Sequence, residues 1–258
     1  MTAVDVARGG ADARSCMVDW VRYSRLRTPT IISHKHKFIF IKTVKTAGTS
    51  IEVFLSPQCG SDDILTPVDP PVEGHLPRNH EGFAYPAVDV FKSPIGPLSD
   101  LRHPFRRRKK FYHHMPAYVI RKRISPEIWK GYFKFCVERN PWDKVLSHYH
   151  MHAARKGDSL TLDAYLATGK LPINYRRYTD PSGKKIIVDR VVRYEKLMAE
   201  LSEVFAQINV PFEGTLGAKA KSEYRQDRTP YHSVFNENQR RIVEIAFARE
   251  IELHGYRF

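Results

Sequence analysis

The chain has 258 residues, a formal net charge of +14 and a pI near 9.7. Its hydrophobic share of 42% is large enough for a buried core, which excludes a wholly disordered chain and fits one large domain or two small ones. The positive surface field attracts anions, whether nucleotides, nucleic acids, acidic glycans or membrane headgroups. Charge by itself does not choose among these classes of partner.

The cysteines and the N-terminal segment indicate the compartment. Cys16, Cys59 and Cys136 are far apart and show no C-x-x-C spacing, which argues against a disulfide framework or a zinc knuckle and favours a reducing compartment. The first twenty residues are polar and mixed in charge, without the apolar stretch of a signal peptide or a membrane anchor. We therefore expect a cytoplasmic protein with no transmembrane segment.

The domain organisation predicted from the sequence is simple. Residues 1–30 lack hydrophobic periodicity and are rich in arginine, which predicts a loose basic arm. No internal repeat or low-complexity linker divides residues 31–258, so we expect a single domain over that range.

A buried strand followed by a polar loop is the first strong signal. The apolar run Phe38–Ile41 is typical of a strand buried on both faces. The polar loop 42–50 follows it, and residues 51–55 continue as a helix that Pro57 ends. Unpaired backbone N–H groups and the helix dipole at such a junction favour a bound anion.

The residue types of this loop suit a phosphate-like ligand. Gly48 permits close approach of the backbone, and Lys45 places a positive charge there. Hydroxyl donors are added by Thr46, Thr49 and Ser50. A Walker A loop would need a glycine at residue 43 or 44 and a lysine after its last glycine, so ATP chemistry is disfavoured.

Residues 57–104 form a long proline-rich stretch with few periodic apolar positions. Loops of this length in a compact domain are usually functional or disordered. The basic run Arg106–Lys110 follows, and it is either a solvated basic face or part of a site for an anionic acceptor.

A second strand-to-helix junction is predicted at residues 133–149. The run Phe133–Val137 is a strand candidate, Asn140 suits a helix N-cap, Pro141 suits the first helical position and Asp143 places negative charge in the first turn. Ser147 lies on the side of this helix opposite its core face. The core face is formed by residues at i, i+3, i+4 and i+7, namely Trp142, Val145, Leu146 and Tyr149.

Local signals also predict the remaining elements. Residues 178–188 are typical of a turn and β-hairpin, residues 191–194 of a strand and residues 197–208 of a helix. A last helix is expected over 236–253, with Asn236 as N-cap, Gln239 completing a capping box and Gly255 as the stop.

Both junctions resemble the nucleotide motifs of the sulfotransferase superfamily. The 5′-phosphosulfate loop of that family follows the first strand and reads P-K-[ST]-[AG]-[GST]-[ST]-[ST], and residues 44–50 read VKTAGTS, with Val44 in place of the frequent proline. The 3′-phosphate motif resembles V-R-N-P-[WYF]-[DE]-R-x-x-S-x-Y, and residues 138–149 read ERNPWDKVLSHY. Glu138 replaces the usual apolar residue and could pair with Arg139.

The resemblance implies an α/β, P-loop-like three-layer fold with a central, mostly parallel sheet flanked by helices. It implies transfer of a sulfuryl group from 3′-phosphoadenosine 5′-phosphosulfate to an acceptor hydroxyl, without a metal. By the same resemblance Arg139 and Ser147 bind the 3′-phosphate, Lys221 and Arg225 complete the nucleotide pocket, and Lys45 is also catalytic. The 5′-phosphosulfate is held by Lys45, Thr46, Ala47, Gly48, Thr49 and Ser50.

The general base is expected to be a histidine. Residues 113–117 resemble the family's H-x-x-A segment, which indicates His114, and a histidine can accept a proton near neutral pH. A structural role for His114 is the alternative, and His75, His80 and His113 are competing candidates. The histidines at 148, 150 and 152 suggest a metal site, but 148 and 152 alone share a helix face and no H-E-x-x-H accompanies them, so we expect no metal.

Residues 60–67, 132–135 and 193–197 are most similar to a bacterial group of carbohydrate-type sulfotransferases. The expected acceptor is an anionic or hydroxyl-bearing compound, with glycans as one class and phenols, lipids and peptides left open. Two alternative functions stay open: a P-loop-like nucleotide-dependent kinase, and a non-enzymatic basic protein that binds nucleic acid. The sequence does not determine the oligomeric state.

Overall fold

The computed structural model of the chain describes residues 30–81, 111, 114–156, 159–217 and 229–258. Apart from Thr30, the expected basic arm lies outside these residues, and so do the Arg106–Lys110 run, His113, Lys221 and Arg225. Within the described ranges a sheet is combined with helices, which confirms the α/β class. No helix in these ranges is both long and apolar enough to cross a membrane.

The sheet is mixed rather than mostly parallel. Its strand order is β3-β1-β2-β4-β5, with β2 parallel to β4 and β4 parallel to β5, whereas β1 is antiparallel to both β2 and β3. The turn over residues 34–37 is too short for a crossover, so β1 and β2 pair as a hairpin. The strands are β1 (Ile31–Ser33), β2 (Phe38–Phe40), β3 (Ile64–Leu65), β4 (Phe133–Glu138) and β5 (Arg190–Arg193).

The helices follow the predictions at the two junctions and differ near the C-terminus. The expected last helix is divided at Phe247, which leaves helical geometry at φ −108° and ψ 17° and has a fully buried ring. The capping box of Asn236 with Gln239 is confirmed, and Gly255 ends the chain's last helix at φ 64°. The helices are α1 (Gly48–Leu55), α2 (Ala117–Arg121), α3 (Pro126–Gly131), α4 (Pro141–Lys156), α5 (Leu162–Ala167), α6 (Tyr175–Tyr178), α7 (Leu197–Gln207), α8 (Tyr231–Val234), α9 (Glu237–Ala246) and α10 (Ala248–His254).

The predicted hairpin over 178–188 is a turn closed by one antiparallel bridge, between Thr179 and Ile186. Short 3-10 turns follow α1 at Ser56–Gln58 and precede α7 at Tyr194–Lys196. Neither β1 nor β3 was expected from the sequence, because runs of three and two residues carry no measurable periodicity.

Apolar side chains cover both faces of the sheet. Phe38 and Phe40 pack on one face together with residues of α1 and α7, whereas Ile39 and Ile41 pack on the other face with residues of α2. This alternation is the period of two that a strand imposes on its side chains. A strand buried on both faces explains the continuous apolar run in the sequence.

Candidate functional site

The two predicted strand-to-helix junctions lie side by side. Because β2 and β4 are parallel neighbours, their carboxyl ends meet at the same edge of the sheet. The Thr43 hydroxyl donates to the Val137 carbonyl, and Nη1 of Arg139 donates to the Lys45 carbonyl at 3.2 Å. The structure therefore brings Lys45 and Arg139 together, although they are 94 residues apart in the chain.

The backbone of the loop has a shape suited to anions. Lys45 and Ala47 adopt left-handed conformations, with φ 63° and 59°, and Ala47 is the N-cap of α1. Left-handed residues of this kind create concavities lined by backbone N–H groups, and the first turn of α1 has no acidic side chain to compete with a ligand. The segment 45–50 can therefore offer amide donors and a helix N-terminus to one anionic group.

Gly48 is needed for a different reason from the one the sequence suggested. The side chain of Lys42 runs beneath it, and a Cβ added at Gly48 would lie 2.6 Å from Cγ of Lys42. Lys42 is itself 3% exposed, donates to the Thr49 hydroxyl at 3.0 Å and pairs with Glu52 at 2.6 Å. Lys42 therefore supports the loop from inside, while Lys45 is half-buried at its surface.

Several of the loop hydroxyls already form hydrogen bonds within the protein. The Thr43 hydroxyl donates to the Val137 carbonyl, so at the 2.7 Å contact between the Thr43 and Thr46 hydroxyls Thr46 must be the donor. In this arrangement the Thr46 hydroxyl donates within the loop, and its donation to a phosphate stays a prediction. The Thr49 hydroxyl accepts a hydrogen bond from Lys42 and keeps its own hydrogen as a donor, and Ser50 is buried in the first turn of α1.

Arg139 is held in place on three sides. Its Nε and Nη2 bind Oδ2 of Asp143 at 2.8 and 2.7 Å, and its guanidinium lies 4.1 Å from the centre of the Tyr194 ring. Glu138 does not pair with this side chain, because its Oε1 accepts from the Arg139 backbone N–H and from Lys144. Ser147 is half-buried two turns along α4, and its hydroxyl forms no hydrogen bond within the described residues.

The His114 side chain contacts the first residue of the loop 42–50, Lys42. Its Nδ1 is 3.2 Å from the carbonyl oxygen of Lys42, and since a carbonyl can only accept, Nδ1 carries the hydrogen. The neutral ring then has its basic nitrogen at Nε2, as a general base requires. The competitor His75 is buried, and its Nε2 is 2.9 Å from the carbonyl oxygen of Thr66, next to β3. Burial lowers the pKa of His75.

The histidines of α4 are arranged as the sequence predicted. Nε2 of His148 and Nε2 of His152 are 3.3 Å apart on one helix face, and Nδ1 of His148 is 2.6 Å from the Tyr165 hydroxyl. Burial, together with the positive charges of His152 and Lys45, lowers the pKa of His148 to about 3. In the part of the chain that the structure describes, no group of three or more His, Cys, Asp or Glu side chains could hold a metal ion.

A buried charge cluster beneath the two junctions was missed by sequence reasoning. Lys144 is fully buried and pairs with Glu138 at 2.7 Å and with Glu250 at 2.6 Å, and both carboxylates are also fully buried. Burial opposes the charge of Lys144, but the two carboxylates raise its pKa. We call Glu138, Lys144 and Glu250 the buried charge cluster. Glu138 and Lys144 are six residues apart in the second motif, but Glu250 is 106 residues from Lys144, so no local motif indicates the whole cluster.

The buried charge cluster predicts a specific pH dependence. Burial, with the charge of Glu138, raises the pKa of Glu250 to about 7, so the folded state holds this proton more tightly than the unfolded state. The stabilisation is complete below the ordinary glutamate pKa and is lost as the pH rises through 7. In the wild type we expect the free energy of unfolding to fall by up to about 1.4 kcal/mol per pH unit between the ordinary glutamate pKa and pH 7. This fall should be absent in Glu250→Gln.

Urea denaturation at half-unit steps from pH 4.5 to 8 measures this difference. Glu244→Gln, on the exposed side of α9, is the matched control and should keep the wild-type profile. Parallel profiles for Glu250→Gln and the wild type would show that Glu250 does not titrate in this range.

Comparison with known proteins places the chain in a family without assigning an activity. No protein-family model matches the sequence. A protein of Archaeoglobus fulgidus, described as uncharacterized, is 36% identical over 103 residues, which are 38% of this chain and 86% of the archaeal protein. An identity of this size over most of the archaeal protein indicates common descent, so the chain belongs to the same family as this uncharacterized protein of Archaeoglobus fulgidus.

Proposed function

We propose that this protein is a sulfotransferase that transfers a sulfuryl group from 3′-phosphoadenosine 5′-phosphosulfate to an acceptor hydroxyl. The observation that carries the proposal is the 3.2 Å hydrogen bond from Arg139 to the Lys45 carbonyl. It joins the two segments that resemble the phosphate motifs of sulfotransferases. A single nucleotide with phosphates on both its 3′ and 5′ positions is the ligand that such a pair of sites would hold.

The position of both sites at helix N-termini supports the same ligand. The segment before α1 follows β2, and the segment before α4 follows the parallel neighbour β4, so the N-termini of both helices lie at one edge of the sheet. Asp143 lies in the first turn of α4, so at that junction the Arg139 side chain, rather than the helix N-terminus, is the proposed phosphate ligand. A P-loop-like three-layer arrangement is part of this proposal, and the apolar clusters on both sheet faces support it.

The proposed reaction is an in-line displacement. The acceptor oxygen forms a bond to sulfur while the bond from sulfur to the bridging oxygen of the 5′-phosphate breaks, and the acceptor proton passes to Nε2 of His114. The ammonium of Lys45 and the loop amides stabilise the charge that develops on the bridging oxygen. Arg139 and Ser147 bind the 3′-phosphate, and 3′,5′-phosphoadenosine leaves as the product.

An anionic acceptor, with glycans as one candidate class, is part of the proposal. The net charge of +14 favours it. Near His114, the Arg177 side chain donates to the His114 carbonyl at 3.1 Å, and the adjacent Arg176 is exposed. These two arginines are candidates to attract the acceptor.

A thermal-shift experiment on the full chain tests the proposal. We expect 3′,5′-phosphoadenosine at a hundred times its Kd to stabilise the protein by about 2.7 kcal/mol. At the same concentration 5′-AMP should stabilise it less, because it has no phosphate for Arg139. Transfer of labelled sulfate to a panel of glycans, phenols and peptides then identifies the acceptor class.

The same experiment separates the alternatives. A larger shift with ATP and Mg²⁺ than with 3′,5′-phosphoadenosine would favour a kinase. Equal shifts with 3′,5′-phosphoadenosine and 5′-AMP would remove the 3′-phosphate site from the proposal. If neither nucleotide stabilises the protein and it binds DNA or RNA with a steep salt dependence, a nucleic-acid-binding function replaces the proposed enzymatic one.

A further inference from the structure

Asn174 belongs to neither nucleotide motif, yet its side chain binds the first of them. The residue is fully buried just before α6, and it is 130 residues from Val44 in the chain. The Val44 backbone N–H donates to Oδ1 of Asn174 at 2.8 Å, and Nδ2 of Asn174 donates to the Val44 carbonyl at 3.1 Å. One carboxamide therefore binds the peptide groups on both sides of Val44.

The bound segment is one that needs outside support. Lys45 follows Val44 directly and adopts the left-handed backbone conformation at φ 63°, which is unfavourable for a residue with a Cβ. The contacts from Asn174 hold the peptide bond that leads into this residue. The direction in which the Lys45 side chain leaves the loop thus depends on a residue outside the loop.

Asn174 is in turn connected to the second junction. Its Nδ2 also lies 3.3 Å from Oε1 of Glu138, and the same oxygen accepts from the Arg139 backbone N–H at 2.9 Å. Its own backbone N–H donates to Oε1 of Glu250. A continuous path of hydrogen bonds therefore leads from Val44 through Asn174 and Glu138 to Arg139.

Resting on the proposed function, we infer that Asn174 is a positioning residue: it holds the Val44–Lys45 peptide so that Lys45 and Arg139 act on one nucleotide. Asn174 is not proposed to touch the nucleotide. It acts through the loop backbone, and it connects that backbone to the buried charge cluster. Its loss should therefore impair transfer more than it impairs binding of the product.

The test compares Asn174→Ala with Tyr178→Phe. Tyr178 is equally buried and donates to the other oxygen of Glu138 at 3.0 Å, so its phenylalanine variant disturbs the same cluster without touching the loop. We expect Asn174→Ala to lower kcat by about a hundredfold, the size expected for a misplaced catalytic group. The Kd for 3′,5′-phosphoadenosine should rise less than tenfold, and Tyr178→Phe should change both values about twofold or less.

Hydrogen exchange on the ligand-free protein is a second readout that requires no activity. In the wild type the amide of Val44 should exchange slowly, as should the amide of Ile41, which donates to the Phe135 carbonyl at 2.9 Å. In Asn174→Ala the Val44 amide should exchange at least about tenfold faster, because its acceptor is gone, while the Ile41 amide is unchanged. If the variant does not fold, Asn174→Ser is the second variant.

The outcomes separate this inference from the proposed function. A wild-type protein that neither binds 3′,5′-phosphoadenosine nor transfers sulfate overturns the proposed function and the catalytic part of the inference together. A wild-type Val44 amide that exchanges as fast as an exposed amide overturns the contact with Asn174, whatever the variants do. Active wild-type protein with equal kcat for Asn174→Ala and Tyr178→Phe overturns the positioning role alone.

Discussion

Lys45→Ala is expected to lower sulfuryl transfer by a factor of at least about 100, the range seen when one group that stabilises developing charge is removed. Lys45 is the first left-handed residue of the loop, and its carbonyl accepts a hydrogen bond from Arg139 at 3.2 Å. Its ammonium is the charge assigned to the bridging oxygen, which becomes more negative as the bond to sulfur breaks. Binding of 3′,5′-phosphoadenosine should change far less, since the loop amides remain.

Lys37→Ala is the matched control for this prediction. Lys37 is exposed in the turn at the opposite end of β2 and also has a left-handed backbone, at φ 53°. Both variants therefore lose a lysine at the same kind of backbone position. Turnover is measured with labelled donor and the best acceptor from the panel, and product affinity is measured by calorimetry. Equal turnover in the two variants would remove Lys45 from the catalytic role.

Lys144→Met is expected to lower the free energy of unfolding by about 3–5 kcal/mol, the usual cost of breaking a buried ion pair from one side. The methionine approximates the volume of lysine, but it leaves Glu138 and Glu250 facing each other without a cation. Because both carboxylates are fully buried, water cannot replace the lost ammonium. Urea denaturation at pH 8, above the pKa of about 7 that Glu250 has in the wild type, measures the loss.

Two further variants serve as a control and a rescue for Lys144→Met. Lys134→Met breaks the pair with Asp189, whose side chain is 44% exposed, and it also removes the donations from Lys134 to the carbonyls of Trp129 and Tyr132. Because no buried carboxylate is left unpaired, the loss should be about 2 kcal/mol, smaller than for Lys144→Met. Adding Glu250→Gln to Lys144→Met should recover part of the stability, because one of the two unpaired carboxylates is removed. Equal losses for Lys144→Met and Lys134→Met would contradict the importance of the buried charge cluster.

The elements that the sequence predicted well are those with local causes. The apolar run at β2 is typical of a buried strand, and the Asn140 cap with Pro141 in the first helical position specifies the start of α4 wherever the helix packs. The side-chain oxygen of Asn140 accepts from the N–H groups of Trp142 and Asp143 at 3.1 and 3.4 Å, as expected for an N-cap.

The elements that the sequence missed depend on partners distant in the chain. The strands β1 and β3 are too short to show a period, and they exist because β1 has β2 on one side and β3 on the other. The break between α9 and α10 has a similar origin, since Phe247 leaves the helix to join the cluster around Trp142. No glycine or proline marks the break, so local propensity could not predict it.

The sequence by itself determined two strand-to-helix junctions, each with residue types that suit a phosphate group, because capping, apolar runs and turn residues act over a few neighbours. Tertiary structure alone decided that these junctions share one sheet edge, that Lys42 turns inward while Lys45 stays at the surface, and that Asn174 binds the Val44 backbone. Hydrogen bonds and ion pairs act over about 3 Å, so they depend on which segments the fold brings into contact. Glu250 meets Lys144 across 106 residues of chain, and no local pattern encodes such a pair.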